Sequence, residues 1–145
     1  MRSLTPSCAK PGMEPLSLHQ VAAACRGDIL AGAPDLVVRR VGTDSRRTEP
    51  GDLFVALVGD RHDGHAHIAS AAERGAIAVL GARSRPIAAP SGCALVVVDD
   101  TRRALGDLAA AYRSGFDLPV VAVAGGLPAV RLVPGRHTHQ LYLAA

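Results

Sequence analysis

Two polar segments with the residue types of a phosphate-binding site flank one apolar run at residues 53–58. The first segment consists of Thr43, Asp44, Ser45 and Arg46, and the second consists of Asp60, Arg61, His62, Asp63, Gly64 and His65. Hydroxyl and guanidinium groups bind phosphate oxygens, and glycine lets the backbone approach a ligand closely. A helix beginning after the second segment would add the positive end of its dipole. The spacing therefore indicates a site for a phosphorylated ligand.

The residue types alone leave a structural alternative open, because the same residues are common in turns and at helix starts. Both segments would then be ordinary capped turns. A metal site is a further alternative, since His62, Asp63, His65 and His67 alternate along the chain. His65 and His67 straddle a predicted helix start, where such side chains diverge, and no distant Cys/His group completes a ligand set. We therefore predict no metal site.

No catalytic residue is predicted from the sequence, because nucleophile–base arrangements are recognised by geometry. Asp99 and Asp100 are adjacent carboxylates, and their place before a helical pattern favours a helix cap. Residues 119–126 run from an apolar strand into Ala124, Gly125 and Gly126, as the approach to an ATP-binding loop would. The lysine and hydroxyl that such a loop needs are missing, and no lysine follows Lys10. We therefore predict no cofactor site in this chain.

The elements that must position these segments alternate in type along the chain. Helical spacing predicts helices at residues 17–26, 66–74 and 102–113, and apolar runs predict strands at 28–30, 36–41, 53–58, 76–80, 94–98 and 119–123. Ser17 and Gln20 form a capping box for the first helix, and Gly27 is its expected stop. The third helix is expected to bury Leu105, Leu108, Ala109 and Tyr112. This alternation predicts an α/β fold with a small mixed or parallel sheet and flanking helices.

Length and composition restrict the possibilities further. The 145 residues suffice for one domain, with 48% hydrophobic and 20% charged residues, as in ordinary globular proteins. The net charge of +3 comes from scattered arginines without interleaved aromatic residues, so no nucleic-acid partner is expected. No secretory signal or membrane-spanning run is present, which predicts a cytoplasmic protein without a membrane partner. Cys25 and Cys93 are expected to be small core residues.

Several motifs in order resemble the amino-terminal part of the Mur ligase family. They are Thr-Asp-Ser-Arg at 43–46, Pro-Gly-Asp-Leu-Phe-Val-Ala-Leu-x-Gly at 50–59, Asp-Gly-His at 63–65, Ala-x-x-x-Gly-Ala-x-Ala-Val-Leu at 71–80, and the Asp-Asp-Thr helix at 99–113. The resemblance covers residues 16–123. Within the family, the chain is most similar to the members that add D-alanyl-D-alanine. The member that adds the third peptide residue is the alternative.

The resemblance implies a domain that holds the UDP end of UDP-N-acetylmuramoyl-peptide during peptidoglycan synthesis, and hence a part in cell shape and division. In complete family members, a central domain uses ATP and magnesium to activate the substrate carboxylate. The residues implied by position are Thr43, Asp44, Ser45 and Arg46 on one wall, Asp60, Arg61 and His62 on the other, and Asp63, Gly64 and His65 shaping the loop.

The resemblance also sets the expected domain boundaries. Residues 1–14 are expected to be a disordered extension, with Met13 as a plausible start, and 15–123 to be the UDP-substrate domain. Residues 124–145 diverge from the family, as after a truncation, a frameshift or an artificial terminus, so the chain alone is not expected to catalyse ligation. A stand-alone uridine-nucleotide binding module and a non-functional remnant are the remaining hypotheses. The oligomeric state is left open.

Overall fold

The computed structural model describes residues 13–59 and 62–117 in full, and the backbone of residues 130–132 and 141–143. The strands are β1 (Leu16–Ser17), β2 (Asp28–Ala31), β3 (Val37–Val38), β4 (Arg40–Gly42), β5 (Asp52–Val55), β6 (Ala78–Ala82), β7 (Ala94–Val98), β8 (Val130–Leu132) and β9 (Leu141–Leu143). The helices are α1 (Leu18–Cys25), α2 (Ile68–Glu73) and α3 (Thr101–Ser114), with 3-10 turns at Ser45–Arg47 and Gly64–His67.

A five-stranded mixed sheet with the order β2-β7-β6-β5-β4 forms the centre of the first unit. Strands β4, β5, β6 and β7 run parallel to one another, and β2 pairs with β7 in antiparallel orientation. Because each parallel strand lies beside the preceding one, the loops after β4, β5 and β6 emerge at the same edge of the sheet. This arrangement confirms the predicted α/β fold with a mixed sheet and flanking helices.

Both faces of the sheet are covered, which explains why its strands are apolar runs without alternation. Val55 and Leu80 point into a cluster with Leu18, Val21 and Leu108, so α1 and α3 cover this face. The opposite face packs against α2, and its cluster contains Phe54, Val79, Leu95, Ile68 and Ala71. Leu53, Val55 and Val79 are fully buried. The sheet is therefore a rigid support for the loops at its edge.

The capping box predicted for α1 is present. Ser17 Oγ accepts a hydrogen bond from Gln20 N at 3.2 Å, and Gln20 Oε1 accepts one from Ser17 N at 2.8 Å. The helix stop differs from the prediction, because Arg26, with φ of 54°, takes the left-handed conformation expected of Gly27. Gly27 is needed for another reason: a Cβ there would lie 2.8 Å from the Val97 carbonyl oxygen.

Several predicted boundaries were wrong, and tertiary contacts account for the differences. The strand at 36–41 is split, since β3 pairs with β1 whereas β4 pairs with β5 in the other sheet. The strand at 53–58 is observed at Asp52–Val55. The helix at 66–74 begins as a 3-10 turn, and the strand at 76–80 is shifted to Ala78–Ala82. The third helix buries Ala104 and Leu108, whereas Ala109 is exposed.

The chain divides into two compact units, residues 1–115 and 116–145. Met13 and Glu14, which belong to the predicted extension, are described, and Glu14 N donates a hydrogen bond to the Tyr112 hydroxyl at 2.8 Å. In the second unit, β8 and β9 form an antiparallel pair. The strand predicted at 119–123 lies outside the described residues. In the described ranges, no helix has the length and apolar character needed to cross a bilayer.

Candidate functional site

The first polar segment continues directly from the carboxyl end of β4. Asp44 caps the 3-10 turn by accepting a hydrogen bond from Arg46 N at 3.1 Å. Its two carboxylate oxygens also accept from Arg46 Nε and Nη2, each at 2.9 Å. The side-chain hydrogen bonds from Arg46, followed by the backbone hydrogen bond, lower the pKa of Asp44 to about 2. The turn therefore holds a fixed ion pair, and Ser45 at its start is buried.

A buried carboxylate fixes the chain between β4 and β5. Asp52 is 3% exposed and accepts hydrogen bonds from Arg40 Nε at 2.9 Å and Arg40 Nη2 at 2.6 Å. Arg40 Nη2 also donates to the Arg47 carbonyl at 2.8 Å, and Asp52 accepts from Glu49 N at 2.8 Å. These bonds hold both ends of the segment that carries Ser45. They also raise the pKa of Arg40, mainly through its hydrogen bond to Asp52.

After β5, the described residues on either side of positions 60 and 61 come together in antiparallel orientation, with Val58 paired with Asp63. Gly59 N donates to the His62 carbonyl at 2.9 Å, and Gly64 N donates to the Leu57 carbonyl at 2.8 Å. A Cβ at Gly64 would lie 2.8 Å from Leu57 N and 3.0 Å from two backbone atoms of Ala56. Gly64 is therefore required by the close approach of two backbone segments, whereas the sequence analysis expected glycine to let the backbone approach a ligand.

His65 connects the second polar segment to the end of β6. Its Nδ1 lies 2.6 Å from Asp63 Oδ1, and its Nε2 accepts a hydrogen bond from Ala82 N at 2.9 Å. The side chain is only 9% exposed. Asp63 also caps the 3-10 turn by accepting from His65 N at 3.0 Å, and this bond and the His65 side chain lower the pKa of Asp63. The side chains of Asp63 and His65 thus fix the loop to the end of β6.

The two segments line one open groove of about 810 Å³ beside α2. Its lining residues are Thr43, Asp44, Ser45, Arg46, Phe54, Leu57, Gly59, His62, Gly64, His67, Ser70, Arg74 and Arg102. The structure thus brings together six of the ten residues predicted for the site, from both segments. Asp63 and His65 are not in the lining, and Asp60 and Arg61 lie outside the described residues.

Sequence reasoning missed Ser70, Arg74 and Arg102, which also line the groove. Ser70 and Arg74 belong to or follow α2, and Arg102 lies in the first turn of α3. All three are exposed positions in or directly after a helix, where polar residues are expected without any function. No signal in the sequence distinguishes Arg102 from the neighbouring Arg103, because only the packing of α3 decides which arginine faces the groove.

Other reactive groups of the described residues have structural roles. Burial raises the pKa of the Cys25 thiol to about 11 and also raises that of Cys93, so neither thiol is activated. Asp100 caps α3 by accepting from Arg102 N and Arg103 N, as predicted, and Asp99 pairs with Arg83. No cluster of three His, Cys, Asp or Glu side chains suited to a metal ion occurs within the described ranges.

Comparison with known proteins identifies the relatives of this chain. The sequence model of the Mur ligase family, described as its catalytic domain, matches residues 37–113, which is more than half of the chain. UDP-N-acetylmuramoyl-tripeptide–D-alanyl-D-alanine ligase of Escherichia coli is 40% identical over 110 residues, covering 76% of this chain and 23% of that ligase. The ligase of the same name from Bacillus subtilis is 43% identical over 89 residues, covering 61% of this chain and 19% of that ligase.

Relatives of a second kind match almost as well. UDP-N-acetylmuramoyl-L-alanyl-D-glutamate–2,6-diaminopimelate ligase of Rhizobium meliloti is 36% identical over 106 residues, covering 73% of this chain and 21% of that ligase. Among solved structures, UDP-N-acetylmuramoylalanyl-D-glutamyl-2,6-diaminopimelate–D-alanyl-D-alanyl ligase of Acinetobacter baumannii is similar with a TM-score of 0.64 and 35% identity. That match covers 74% of this chain and 23% of the ligase.

The chain spans about a fifth of the length of the curated relatives that it matches. The matched region contains the four parallel strands of the sheet, β4 to β7, and both polar segments of the groove. Sequence and structure comparisons agree on the same group of ligases, and the chain therefore belongs to the Mur ligase family.

Proposed function

We propose that the groove beside α2 binds the UDP end of UDP-N-acetylmuramoyl-peptide. The observation that carries this proposal is that two segments, separated by β5 in the sequence, line one groove. Its volume of about 810 Å³ is in the range of small-molecule sites, roughly 300–1,000 Å³. The names of the relatives supply the ligand, since both kinds of ligase act on UDP-N-acetylmuramoyl compounds.

In this proposal, the hydroxyls of Thr43 and Ser45 and the guanidinium of Arg46 form one wall. His62 and the backbone of Gly59 and Gly64 form the other wall, to which Asp60 and Arg61 were also assigned from the sequence. Asp63 and His65 act indirectly, because their bonds to each other and to Ala82 hold the loop in place. The roles of Asp60 and Arg61 stay predictions.

For the whole protein, we propose the activity of a ligase that adds D-alanyl-D-alanine to this precursor. Relatives with that name and a solved structure of such a ligase support the choice. The activity would need ATP and magnesium, and residues 119–126, which resemble the approach to an ATP-binding loop, lie outside the described residues. Since no lysine follows Lys10, we assign substrate binding and not ligation to this chain. A cytoplasmic location stays a prediction.

The second candidate is the ligase that adds 2,6-diaminopimelate to UDP-N-acetylmuramoyl-L-alanyl-D-glutamate. Relatives of that name are 36–42% identical, close to the identity of the first group. The two candidates differ in the peptide carried by the precursor. Tighter binding of the dipeptide precursor than of the tripeptide precursor would favour the second candidate.

The proposal is tested by calorimetric titration of the chain with UDP-N-acetylmuramoyl-tripeptide, with ATP as a parallel titrant. We expect the nucleotide sugar to bind and ATP to give no heat of binding. Ser45→Ala should weaken binding, because the Ser45 side chain lines the groove. Ser84→Ala is the matched control, since Ser84 is exposed in the loop after β6 and does not line the groove. Absence of binding to the unaltered chain would favour the non-functional remnant.

A further inference from the structure

The three arginines that line the groove differ in their charge partners. Arg46 is neutralised by the two-point pair with Asp44, at 2.9 Å for both bonds. Arg74 and Arg102 form no ion pair or side-chain hydrogen bond with any residue in the described ranges. Among the described residues of the lining, Asp44 is the only carboxylate, and its charge is already matched by Arg46. The groove therefore carries unmatched positive charge at Arg74 and Arg102.

Arg102 belongs to α3 and so reaches the groove from outside the two polar segments. Its helix, α3, follows β7, and Asp100 fixes its first turn by accepting from Arg102 N at 2.9 Å. A Cβ built at Gly59 would lie 3.9 Å from Arg102 Nη2, so the guanidinium reaches the turn after β5. The side chain thus extends from the end of β7 toward the loop that forms the second wall.

The position of Arg74 is different. Arg74 follows the last residue of α2, whereas His67 precedes the first, and both line the groove. Six helical residues rise by about 9 Å, so the groove extends along the helix from the loop end to Arg74. Arg102, next to Gly59, is at the loop end. That end is formed by Gly59 and His62 and by the carboxyl edge of the sheet, where open α/β sheets bind their ligands.

We propose that Arg102 binds the diphosphate of the bound nucleotide and selects for it over the nucleoside. This inference rests on the proposed function, because it names the contact that the diphosphate would make in the same groove. A guanidinium presents paired N–H donors that match phosphate oxygens. Arg102 has no protein acceptor in the described ranges for these donors. A diphosphate at the loop end would provide acceptors and the compensating charge.

Arg103 provides a matched control within the same helical turn. Its backbone N–H also donates to Asp100 Oδ1, at 3.1 Å, and its side chain is exposed like that of Arg102. It lines a different cavity, of about 300 Å³, together with Cys25, Asp99 and Asp107. Replacing Arg103 therefore changes the net charge and the helix surface as replacing Arg102 does, without altering the groove.

The test compares binding of UDP and of uridine to the full chain and its variants by titration calorimetry at low ionic strength. We expect Arg102→Gln to weaken UDP binding roughly tenfold, as for the loss of one charged hydrogen-bond pair, and to leave uridine binding unchanged. Arg103→Gln should leave both affinities unchanged. Arg102→Lys should retain part of the UDP affinity because it keeps the charge. Thermal unfolding of each variant verifies that the fold is intact.

The possible outcomes separate this inference from the proposed function. If the unaltered chain binds UDP but Arg102→Gln binds it as well as Arg103→Gln does, the inference is wrong and the proposed function stands. An equal loss of uridine and UDP affinity would also overturn it, since Arg102 would then not contact the diphosphate. If Arg74→Gln alone removes the preference for UDP, the diphosphate lies at the other end of the groove. Failure of the unaltered chain to bind UDP would contradict both proposals.

Discussion

At the residue scale, His65 and Gly64 determine the position of the loop after β5, which forms one wall of the groove. His65 joins the loop after β5 to the backbone of Ala82, and Gly64 allows that loop to lie against Ala56 and Leu57. A Cβ at Gly81 would collide with the Ile87 side chain and lie 3.3 Å from His65 Nε2, so the β6 backbone makes room for both side chains. Asp63, Gly64 and His65 therefore shape the loop, and the polar side chains that line the groove belong to other residues, such as His62.

The bonding of His65 predicts its tautomer. Because the Ala82 N–H donates to Nε2, that nitrogen carries no proton, and the proton of the neutral ring lies on Nδ1, facing Asp63. We expect long-range ¹⁵N–¹H correlation spectra at neutral pH to show the Nδ1–H form for His65. The exposed His62 and His67 serve as references in the same spectrum. A dominant Nε2–H form would contradict the arrangement.

The Asp44–Arg46 pair predicts a dependence of stability on pH. The pKa of Asp44 is lowered from 3.8 to about 2 in the folded chain, mainly by the Arg46 side chain. A lowered folded pKa means that the stabilisation is present above pH 3.8 and is lost as the pH falls toward 2. Asp44→Asn, which still caps the turn, should therefore show a shallower loss of urea stability over this window.

Salt provides the control for this pH dependence. The pair is exposed, with 84% of the Arg46 side chain accessible, so added salt should screen it and reduce the difference between Asp44→Asn and the unaltered chain. Identical acid profiles at low salt would show that the ion pair does not form in solution.

Gly64 allows a direct test of backbone crowding. In Gly64→Ala, the new Cβ would meet backbone atoms of Leu57 and Ala56 at 2.8–3.0 Å, and backbone cannot yield as a flexible side chain does. We expect the free energy of unfolding to fall by about 1–3 kcal/mol. Gly106→Ala is the matched control, because no atom lies within 4 Å of a Cβ in the middle of α3. That variant should gain about 0.5–1 kcal/mol. Equal effects of the two substitutions in urea unfolding would contradict this account.

At the scale of elements, the chain between β4 and β5 is held by a polar anchor. Arg40 begins β4, Asp52 begins β5, and the two residues are opposite each other in the parallel register. Their hydrogen bonds, together with that from Arg40 to the Arg47 carbonyl, close the intervening segment at both ends. The short 3-10 turn that carries Ser45 thereby has a defined position beside α2.

This anchor predicts a coupled loss of stability and binding. Asp52→Ala removes a buried carboxylate that accepts from Arg40 and from Glu49 N, and should cost about 1–3 kcal/mol in the free energy of unfolding. Binding of UDP should weaken as well, since Ser45 loses its support. Glu49→Ala is the control, because Glu49 is 70% exposed and meets Arg40 only at 3.4 Å. A stability change within about 0.5 kcal/mol is expected for it. Full UDP affinity in Asp52→Ala would show that the anchor does not position the groove.

The sequence predicts those elements whose signals are local. Helix α1 has its capping box, α3 has Asp100 at its start, and β7 is a bounded apolar run, and all three were correctly predicted. The strand at 36–41 was not, because its two halves have the same local character but pair with different partners. The two polar segments could be recognised because their signal is local. The positions of Arg74 and Arg102 in the groove could not be predicted, because they depend on how the helices pack.

At the scale of the whole molecule, the parallel strands of the sheet bring residues that are distant in the sequence to one groove. The loops after β4 and β5 emerge at one edge of the sheet, and α3 begins at that edge after β7. Thr43, His62 and Arg102 therefore line one groove although up to 59 positions separate them in the sequence. The buried apolar strands supply the rigidity, and the polar loops supply the contacts.

The central claim, that this groove holds the UDP end of the precursor, is tested most directly by mapping backbone amide shifts of the ¹⁵N-labelled chain during titration with UDP. We expect the largest shifts at Thr43–Arg46, Gly59, His62 and Gly64, with Ser70 and Arg102 also affected. The cavity lined by Cys25, Arg26 and Asp107 is the internal reference and should stay unchanged. Shifts concentrated at that cavity, or none at saturating UDP, would contradict the account.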